Sequence, residues 1–267
     1  MPRALEQIRR MRGGAQAHLM RCEGEEYYVV KFQNNPQAAR GGRILANEVL
    51  GTRLAARLGL PTQPAAVVEV TTELIRLTTD LVIQAGAGAV PCAPGLQFGS
   101  RYPGHPAEIA VHDFLPDEKL AQVENLHDFA GMLVLDKFLC NTNGRQAIFY
   151  REPGRSQYQA VFVDQGFCCN AGEWSFPDAP LRGIYAKHRV YASVTGMESY
   201  APWLERLEHI TPALLDQIAS EIPPEWYDQD QEALFHLLEQ IYRRRKKVPD
   251  LILDAKNSNR QPFFNWK

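Results

Sequence analysis

The chain has 267 residues, with 29 basic and 31 acidic side chains, a formal charge of −2 and a hydrophobic content of 45%. This length supports one large domain or two lobes with a buried core. The near balance of charge argues against a surface built as a whole for nucleic acid or an anionic membrane. No stretch approaches the roughly 18 apolar residues of a membrane span, and the N-terminus is too polar for a secretory leader.

The cysteine pattern argues against zinc and against a disulfide framework, because no CxxC pair or regular histidine spacing accompanies it. The five cysteines are Cys22, Cys92, Cys140, Cys168 and Cys169. The vicinal Cys168 and Cys169 are interpreted as free buried thiols rather than as a redox device. We therefore expect a protein of the reducing cytoplasm with no membrane partner.

The first sixty residues predict a turn, two strands and a helix. The segments HLMRC and YYVVKF flank the acidic turn EGEE and are rich in β-branched and aromatic residues, which is typical of a hairpin. Residues 34–42 predict a loop. Residues 43–59 carry apolar side chains at helical spacing and end at a glycine, which predicts a helix.

Two more strands are predicted in the first part of the chain, at residues 65–75 and 95–102, because both segments are rich in β-branched or aromatic residues. Residues 84–95 between them are rich in Gly, Ala and Pro and predict a mobile loop.

From residue 116 onward the pattern becomes mainly helical. Residues 115–141 predict a long helix, and the chain from Tyr200 onward also has helical periodicity. Between them, residues 147–152 and 157–164 predict a second hairpin. The pattern thus changes near residues 104–116, from a β-rich first part to a helix-rich second part.

Lys31 and Glu48 are the first candidate site residues. Lys31 shares a strand face with Val29 and Tyr27, and that face should point inward. A buried ammonium needs a counter-ion or an anionic ligand. Glu48 meets this need, because it follows in the next helix where an apolar residue would otherwise stand. A strand lysine paired with a helix glutamate is typical of the phosphate-holding half of a kinase site.

Two further segments fit the same chemistry. In RGGAQAH, Gly13 and Gly14 would let backbone amides approach phosphate oxygens, and Gln16 would hydrogen-bond them. Asp164 ends a β-rich run and is followed by Gln165 and Gly166, so a carboxylate emerges from a strand into a flexible turn. A kinase places its magnesium-binding carboxylate at such a point.

The chain resembles the HipA-like kinases over about residues 8–170. The resemblance rests on four segments in this order: RGGAQAHLMRCEGEEYYVVKF, the helix with Glu48, NTNGRQAIF and VFVDQG. The resemblance implies an α+β, two-lobed protein-kinase-like fold, with a β-rich N-lobe over residues 1–110 and a mainly helical C-lobe over residues 111–267. It also implies that ATP and Mg²⁺ bind in the cleft, with Lys31 on the phosphates, Glu48 holding Lys31 and Asp164 on the metal. The expected activity is phosphorylation of a protein Ser/Thr hydroxyl.

The catalytic loop departs from the family pattern, in which an Asp opens the loop and a metal-binding Asn follows. Asp136 and Asn141 have the expected D-x-x-x-x-N spacing. An alignment on NTN instead places Asn143 at the catalytic Asp and Gln146 at the metal-binding amide. The second alignment is favoured, because Asp136 lies in a helical pattern and a catalytic acid should reach a substrate hydroxyl from a loop.

In that alignment Asp136 braces the loop from below, accepting hydrogen bonds from backbone amides or from Arg145. Arg145 either supplies positive charge to the transferred phosphoryl group or forms a structural salt bridge with Asp136. An amide at Asn143 can orient a hydroxyl but cannot take its proton. The chain is therefore either a slow kinase, a kinase that uses Asp136 or Asp113 in an unusual geometry, or a pseudokinase that binds a partner.

The C-terminal part offers a binding surface of another kind. Residues 243–247 are a basic run that complements a helix C-terminus and that also allows contact with RNA phosphates or an acidic protein. The aromatic tail RQPFFNWK is expected to dock onto the body of the protein or onto a second subunit.

Overall fold

The computed structural model describes residues 1–37, 41–86 and 88–267. The first part of the chain forms a five-stranded antiparallel sheet of order β1-β2-β3-β7-β4 within these residues. Its strands are β1 (Ala4–Arg10), β2 (His18–Cys22), β3 (Glu26–Lys31), β4 (Ala65–Val70) and β7 (Gly95–Arg101). The predicted hairpin is present as β2 and β3. The edge strand β1 was not predicted, because most of its residues are exposed and it lacks apolar alternation.

Two predictions in this part are wrong. The strand predicted over residues 65–75 ends at Val70, and helix α2 (Thr72–Leu77) follows because the Thr71 hydroxyl caps it by accepting from Leu74 N at 3.1 Å. The segment 84–95, predicted as a loop, instead contributes to a hairpin of β5 (Val82–Ala85) and β6 (Gly88–Pro91). Residue 87 of that segment, and residues 38–40 of the loop predicted at 34–42, lie outside the described residues.

Helix α1 (Gly41–Arg57) packs its buried face against the second part of the chain as well as against the sheet. Leu45, Val49 and Leu54 of α1 belong to the same apolar core as the helices of the second part. A smaller core covers the opposite face of the sheet and contains Val30 and Val68. The helix predicted within the first part of the chain therefore joins the two parts.

The second part begins with a three-stranded sheet of order β10-β9-β8 within the described residues. Its strands are β8 (Val111–His112), β9 (Gln146–Tyr150) and β10 (Gln159–Val163), of which the last two form the predicted hairpin. The long helix predicted over residues 115–141 is interrupted, leaving α3 (Asp117–Leu120) and α4 (Asp128–Phe138). The break follows from Asn125, whose side chain exchanges hydrogen bonds with the backbone of Ala160 in β10.

Four further helices complete the second part of the chain within the described residues. They are α5 (Ala201–Glu208), α6 (Pro212–Ala219), α7 (Gln231–Arg244) and α8 (Val248–Lys256). The C-terminal tail docks onto the body, as expected, because Phe263 is 3% exposed and contacts the rings of Tyr191 and Tyr200. No helix in the described part of the chain combines the length and the hydropathy needed to cross a bilayer.

Candidate active site

Lys31 lies at the end of β3, and its side chain points into the cleft between the two parts of the chain. Its ammonium donates to Glu48 Oε1 at 2.5 Å and forms a second ion pair with Asp164, which follows β10. The side chain of Lys31 is 12% exposed and that of Glu48 is 2% exposed. The structure thus brings together a strand lysine, a helix glutamate and the aspartate after the second hairpin.

Glu48 also holds the backbone that follows Asp164. Its two carboxylate oxygens accept hydrogen bonds from the backbone N–H groups of Gln165 and Gly166, both at 2.9 Å. The helix approaches this segment closely at Gly51, where a Cβ would lie 2.6 Å from the Cβ of Gln165. Glu48 therefore positions Lys31 and the turn after Asp164 through one carboxylate.

Lys31 and Asp164 keep their charges at neutral pH, because each stabilises the charged form of the other. Burial disfavours the charged form of Lys31, but Asp164 and Glu48 outweigh it and raise the lysine pKa. Burial likewise opposes ionisation of Asp164, yet Lys31 lowers the pKa of that carboxyl. Asp164 also has a positive φ of 68°, a conformation that costs a non-glycine residue energy and that is common at functional sites.

Asn47 fastens helix α1 to the segment after Asp164, a role that no sequence pattern predicts. Its amide donates to the carbonyls of Gly166, Cys168 and Ala171 at 2.8–3.0 Å. Its oxygen accepts from the indole N–H of Trp174 at 3.0 Å. All these contacts are buried or partly buried, so α1 is held in the position that keeps Glu48 in the cleft.

Asp136 and Arg145 form a buried pair beneath the catalytic loop. Arg145 Nε donates to Asp136 Oδ2 at 2.9 Å and Nη2 donates to Oδ1, and the two side chains are 1% and 0% exposed. Arg145 also donates to Val163 O at 2.6 Å and to Gln165 Oε1 at 2.9 Å. Of the two roles left open for Arg145, this geometry favours the salt bridge over contact with a phosphoryl group.

The catalytic loop itself presents amides to the solvent rather than a carboxylate. Asn141 is 1% exposed and donates to Asp136 Oδ1 at 2.9 Å, so its side chain points inward. Asn143 is exposed and accepts from Gly144 N at 2.8 Å. Gln146 lines the cleft beside Asp164. The alignment that places Asn143 and Gln146 at the family's Asp and Asn stays a prediction.

The loop that contains Gly13 and Gly14 borders the cleft through Arg12 and Ala15, but Gln16 does not take part as predicted. Its side-chain amide exchanges hydrogen bonds with the backbone of Gln84 in β5, at 2.7 and 3.0 Å, so it is committed away from a phosphate. Gly13 and Gly14 form the turn, and Asn35 donates to Gly14 O at 3.2 Å. Arg12, which sequence reasoning did not assign to the site, lines the cleft beside this loop.

The cleft fits a nucleotide that carries its own metal ion. Its lining combines apolar side chains suited to a base, including Val29, Phe98 and Ile148, with the charged side chains of Lys31 and Asp164. Across the described residues, no cluster of three or more His, Cys, Asp or Glu side chains is placed to hold a metal. Mg²⁺ needs only one or two carboxylates when phosphates supply other ligands, so Asp164 with the Gln146 amide suits a metal that arrives on a triphosphate.

The segment after the turn at Asp164 is anchored from below by cations of the helical part. Arg244 of α7 donates to both carboxylate oxygens of Asp178, at 2.6 and 3.0 Å, and Lys247 donates to Asp178 at 2.8 Å. Lys137 of α4 is 4% exposed and donates to the carbonyls of Ala179, Pro180 and Arg182 at 2.8–3.3 Å. The segment is therefore ordered against the C-terminal helices.

Most of the basic residues at 243–247 form ion pairs or hydrogen bonds with other residues of the same chain. Arg244 and Lys247 pair with Asp178, Arg243 pairs with Glu239, and Arg245 donates to the carbonyls of Glu208 and Ile210. These contacts give four of the five basic residues partners within the protein.

Comparison with models of known protein families identifies the family to which this chain belongs. The family model "HipA-like kinase" matches residues 5–141, which is just over half of the chain. The chain therefore belongs to the HipA-like kinase family, as the sequence motifs indicated. A comparison with curated protein sequences finds no match.

Solved structures show that the fold is kinase-like. The Helicobacter pylori proinflammatory kinase CtkA is 15% identical with a TM-score of 0.54, covering 94% of this chain and 96% of that one. The Golgi casein kinase is 11% identical with a TM-score of 0.51, covering 97% and 74% of the two chains. Hydra Fam20, solved with sugar, is 11% identical with a TM-score of 0.51, covering 97% and 86%. The predicted α+β kinase-like fold is confirmed, and family and fold together support a kinase-type phosphotransferase.

Proposed function

We propose that this protein transfers the γ-phosphoryl group of ATP to a Ser or Thr hydroxyl of a protein. The observation that carries the proposal is the convergence of Lys31, Glu48 and Asp164 in one cleft. Lys31 offers a fixed positive charge to phosphate oxygens, and Glu48 keeps that charge in place. A Mg²⁺ ion bound at Asp164 would neutralise the charge that develops on the phosphates.

Phosphoryl transfer depends mainly on placement and charge, since its transition state is loose. The chain supplies both through residues that are buried and hydrogen-bonded before any substrate binds. Asn143 orients an acceptor hydroxyl without removing its proton, which predicts a slow enzyme. The choice of a protein acceptor rests on family membership and on the likeness to a casein kinase.

The second candidate is a pseudokinase that binds a nucleotide and holds a partner without transferring phosphate. The amide at Asn143 favours it, because general-base catalysis is worth about 10²–10⁴ in rate and this chain lacks the usual base. Both candidates require the nucleotide to bind at Lys31 and Asp164, so binding alone does not separate them.

Transfer of ³²P from [γ-³²P]ATP, measured with Mg²⁺ and with casein or the chain itself as acceptor, tests the proposal. We expect slow labelling that falls by about 10²–10³ in Lys31→Met and in Asp164→Asn, because each change removes a preorganised charge from the site. The exposed residues Lys246 and Asp216 give matched controls, Lys246→Met and Asp216→Asn, which should label like the wild type.

Nucleotide-dependent thermal stabilisation of the same proteins separates the outcomes. Stabilisation without any transfer supports the pseudokinase. The absence of both stabilisation and transfer would contradict both candidates.

A further inference from the structure

Lys137 of α4 is a buried lysine whose ammonium is held by neutral carbonyl oxygens. It is 4% exposed and donates to Pro180 O at 2.8 Å, Arg182 O at 2.9 Å and Ala179 O at 3.3 Å. An ammonium has three N–H donors, so these three carbonyls use all of them. Burying a charge is costly unless it is well hydrogen-bonded, and residues 179–182 supply those hydrogen bonds.

The same segment contacts the catalytic loop one residue later. The N–H of Gly183 donates to Asn143 O at 3.3 Å. Gly183 has a positive φ of 77°, and a Cβ at this position would lie 2.4 Å from the Cβ of Asp136, so the backbone passes close to the loop. The position of Arg182, which Lys137 holds, therefore determines where Gly183 meets the residue that we propose to orient the acceptor hydroxyl.

Lys137 is easier to deprotonate than an ordinary lysine. Burial lowers its pKa to about 8, because it outweighs the opposing effect of the nearby acids. These acids are the carboxyl groups of Asp136, Asp178 and Asp254 and the thiol of Cys140. Arg244 of α7 also faces it, since its guanidinium donates to Lys137 O at 2.9 Å. Loss of the ammonium proton leaves two N–H groups for three carbonyls and removes the charge that strengthens each hydrogen bond.

We propose, on the basis of the proposed function, that Lys137 is a positioning residue for phosphoryl transfer, because its ammonium holds residues 179–182 against α4. With the ammonium protonated, Gly183 stays on the backbone of Asn143 and the acceptor hydroxyl is oriented. With the amine neutral, at least one of the three carbonyls loses its donor and the segment shifts relative to the loop. Transfer depends on precise placement, so a small displacement is enough to slow it.

The pH dependence of ³²P transfer by the whole chain, at saturating ATP and Mg²⁺, tests this role. Wild-type transfer should fall about tenfold between pH 7 and pH 9, which is the ratio of the protonated fractions for a pKa of about 8. Lys137→Arg keeps its charge and should fall by less than about twofold. Lys137→Met lacks the charge and should show the low rate at both pH values. Lys246→Arg is the matched control at an exposed lysine and should follow the wild-type profile.

The stability of the chain separates positioning from unfolding. The pKa of Lys137 in the folded chain lies below the value of about 10.4 in an unfolded chain. Between these two values the unfolded chain binds more protons, so the wild type gains stability relative to Lys137→Arg as the pH rises. Deprotonation of Lys137 therefore does not unfold the chain, and a fall in transfer reports the position of the segment.

Hydrogen exchange of the amides of residues 182–184 follows the segment without catalysis. Comparison with Lys137→Arg at each pH cancels the intrinsic dependence of exchange on pH. These amides should lose protection in the wild type relative to the variant between pH 7 and pH 9, whereas those of β9 should not.

Three results overturn the inference. They are a wild-type rate that stays constant from pH 7 to pH 9, an equal fall in Lys137→Arg, and unchanged protection of residues 182–184. Each of them leaves the proposed function supported if transfer occurs. Absence of transfer at every pH contradicts the proposed function and, with it, this role of Lys137. The wild-type profile needs no substitution, so the test holds even where a variant fails to fold.

Discussion

The carboxylate of Glu48 accepts the backbone N–H of Gln165 at 2.9 Å, which joins the helix of the first part of the chain to the residue after Asp164. Because Glu48 also binds Lys31, the lysine, the helix and the aspartate form one connected unit. Their relative positions are therefore set by protein contacts before a nucleotide enters. This preorganisation favours catalysis by placement and charge.

Asn47 gives a first prediction about that unit. Replacing it in Asn47→Leu leaves three carbonyls and the indole N–H of Trp174 without this partner. We expect a loss of about 2–4 kcal/mol in the free energy of unfolding, since buried polar groups without partners are costly. Urea unfolding measures the loss.

The phosphotransfer assay extends the test of Asn47. Transfer by the folded variant should fall with little change in the affinity for the acceptor, because α1 no longer fixes Glu48. Unchanged stability and unchanged transfer would show that Asn47 does not fasten the helix.

Asn143 gives a second prediction. In Asn143→Asp the new carboxylate can keep the hydrogen bond from Gly144 and can also take a proton from an acceptor hydroxyl. We expect the transfer rate to rise by about 10²-fold or more, because a general base supplies about 10²–10⁴ in rate. Initial rates of ³²P transfer measure the gain, and Asn143→Ala should show none. A rate that does not rise in the Asp variant would mean that residue 143 is not next to the acceptor hydroxyl.

Asp178 gives a prediction about pH. Burial opposes its ionisation, but hydrogen bonds from Arg244 and Lys247 lower the pKa to about 2. Because the unfolded-state pKa is near 3.9, the stabilisation is complete above about pH 4 and is lost as the pH falls toward 2. Asp178→Asn should therefore be less stable than the wild type by roughly 1–3 kcal/mol at pH 7. The difference should shrink between pH 4 and pH 2.

Urea unfolding at pH 7, 4 and 2.5 measures the effect of Asp178→Asn. Glu173→Gln removes the same charge from an exposed position in the same segment and should have little effect at any of these pH values. A difference between the wild type and Asp178→Asn that stays constant down to pH 2.5 would contradict the ion pair.

Arg12 gives a prediction about the phosphates. It lines the cleft beside the glycine loop, whereas Lys31 is already paired with two carboxylates. We expect Arg12→Gln to weaken ATP binding by roughly 3–10-fold and to reduce its dependence on salt, because an exposed cation acts through screened attraction. Titration at 50 and 200 mM NaCl checks this, with Arg9→Gln on β1 as the control. Equal effects of the two changes would point to net charge alone.

The sequence predicted the parts of the site that depend on local pattern. Each of three residues can be recognised from about ten residues of local sequence. They are Lys31 on an inward strand face, Glu48 on an apolar helix face and Asp164 at a strand end. The structure places these three together. The order of these residues along the chain, rather than any single motif, indicated the family and the kinase-like fold. Both predictions are confirmed.

The parts that the sequence did not predict depend on contacts between distant segments. Gln16 has a side chain that could bind a phosphate, but its amide forms hydrogen bonds with the backbone of Gln84, 68 positions away. Arg145 has the position of a charge donor to the phosphoryl group, but it lies beneath the loop. No local pattern distinguishes Asn47 from the other residues of its helix, and its hydrogen-bond partners are more than 100 positions away in the sequence. Such assignments follow only from tertiary packing.

The most direct test of the central claim is a crystal structure with Mg²⁺ and a non-hydrolysable ATP analogue. We predict that Lys31 contacts a phosphate oxygen, that Asp164 lies in the coordination shell of the metal, and that Glu48 keeps its hydrogen bonds to residues 165 and 166. A triphosphate bound elsewhere, or a metal whose ligands exclude Asp164, would contradict the claim.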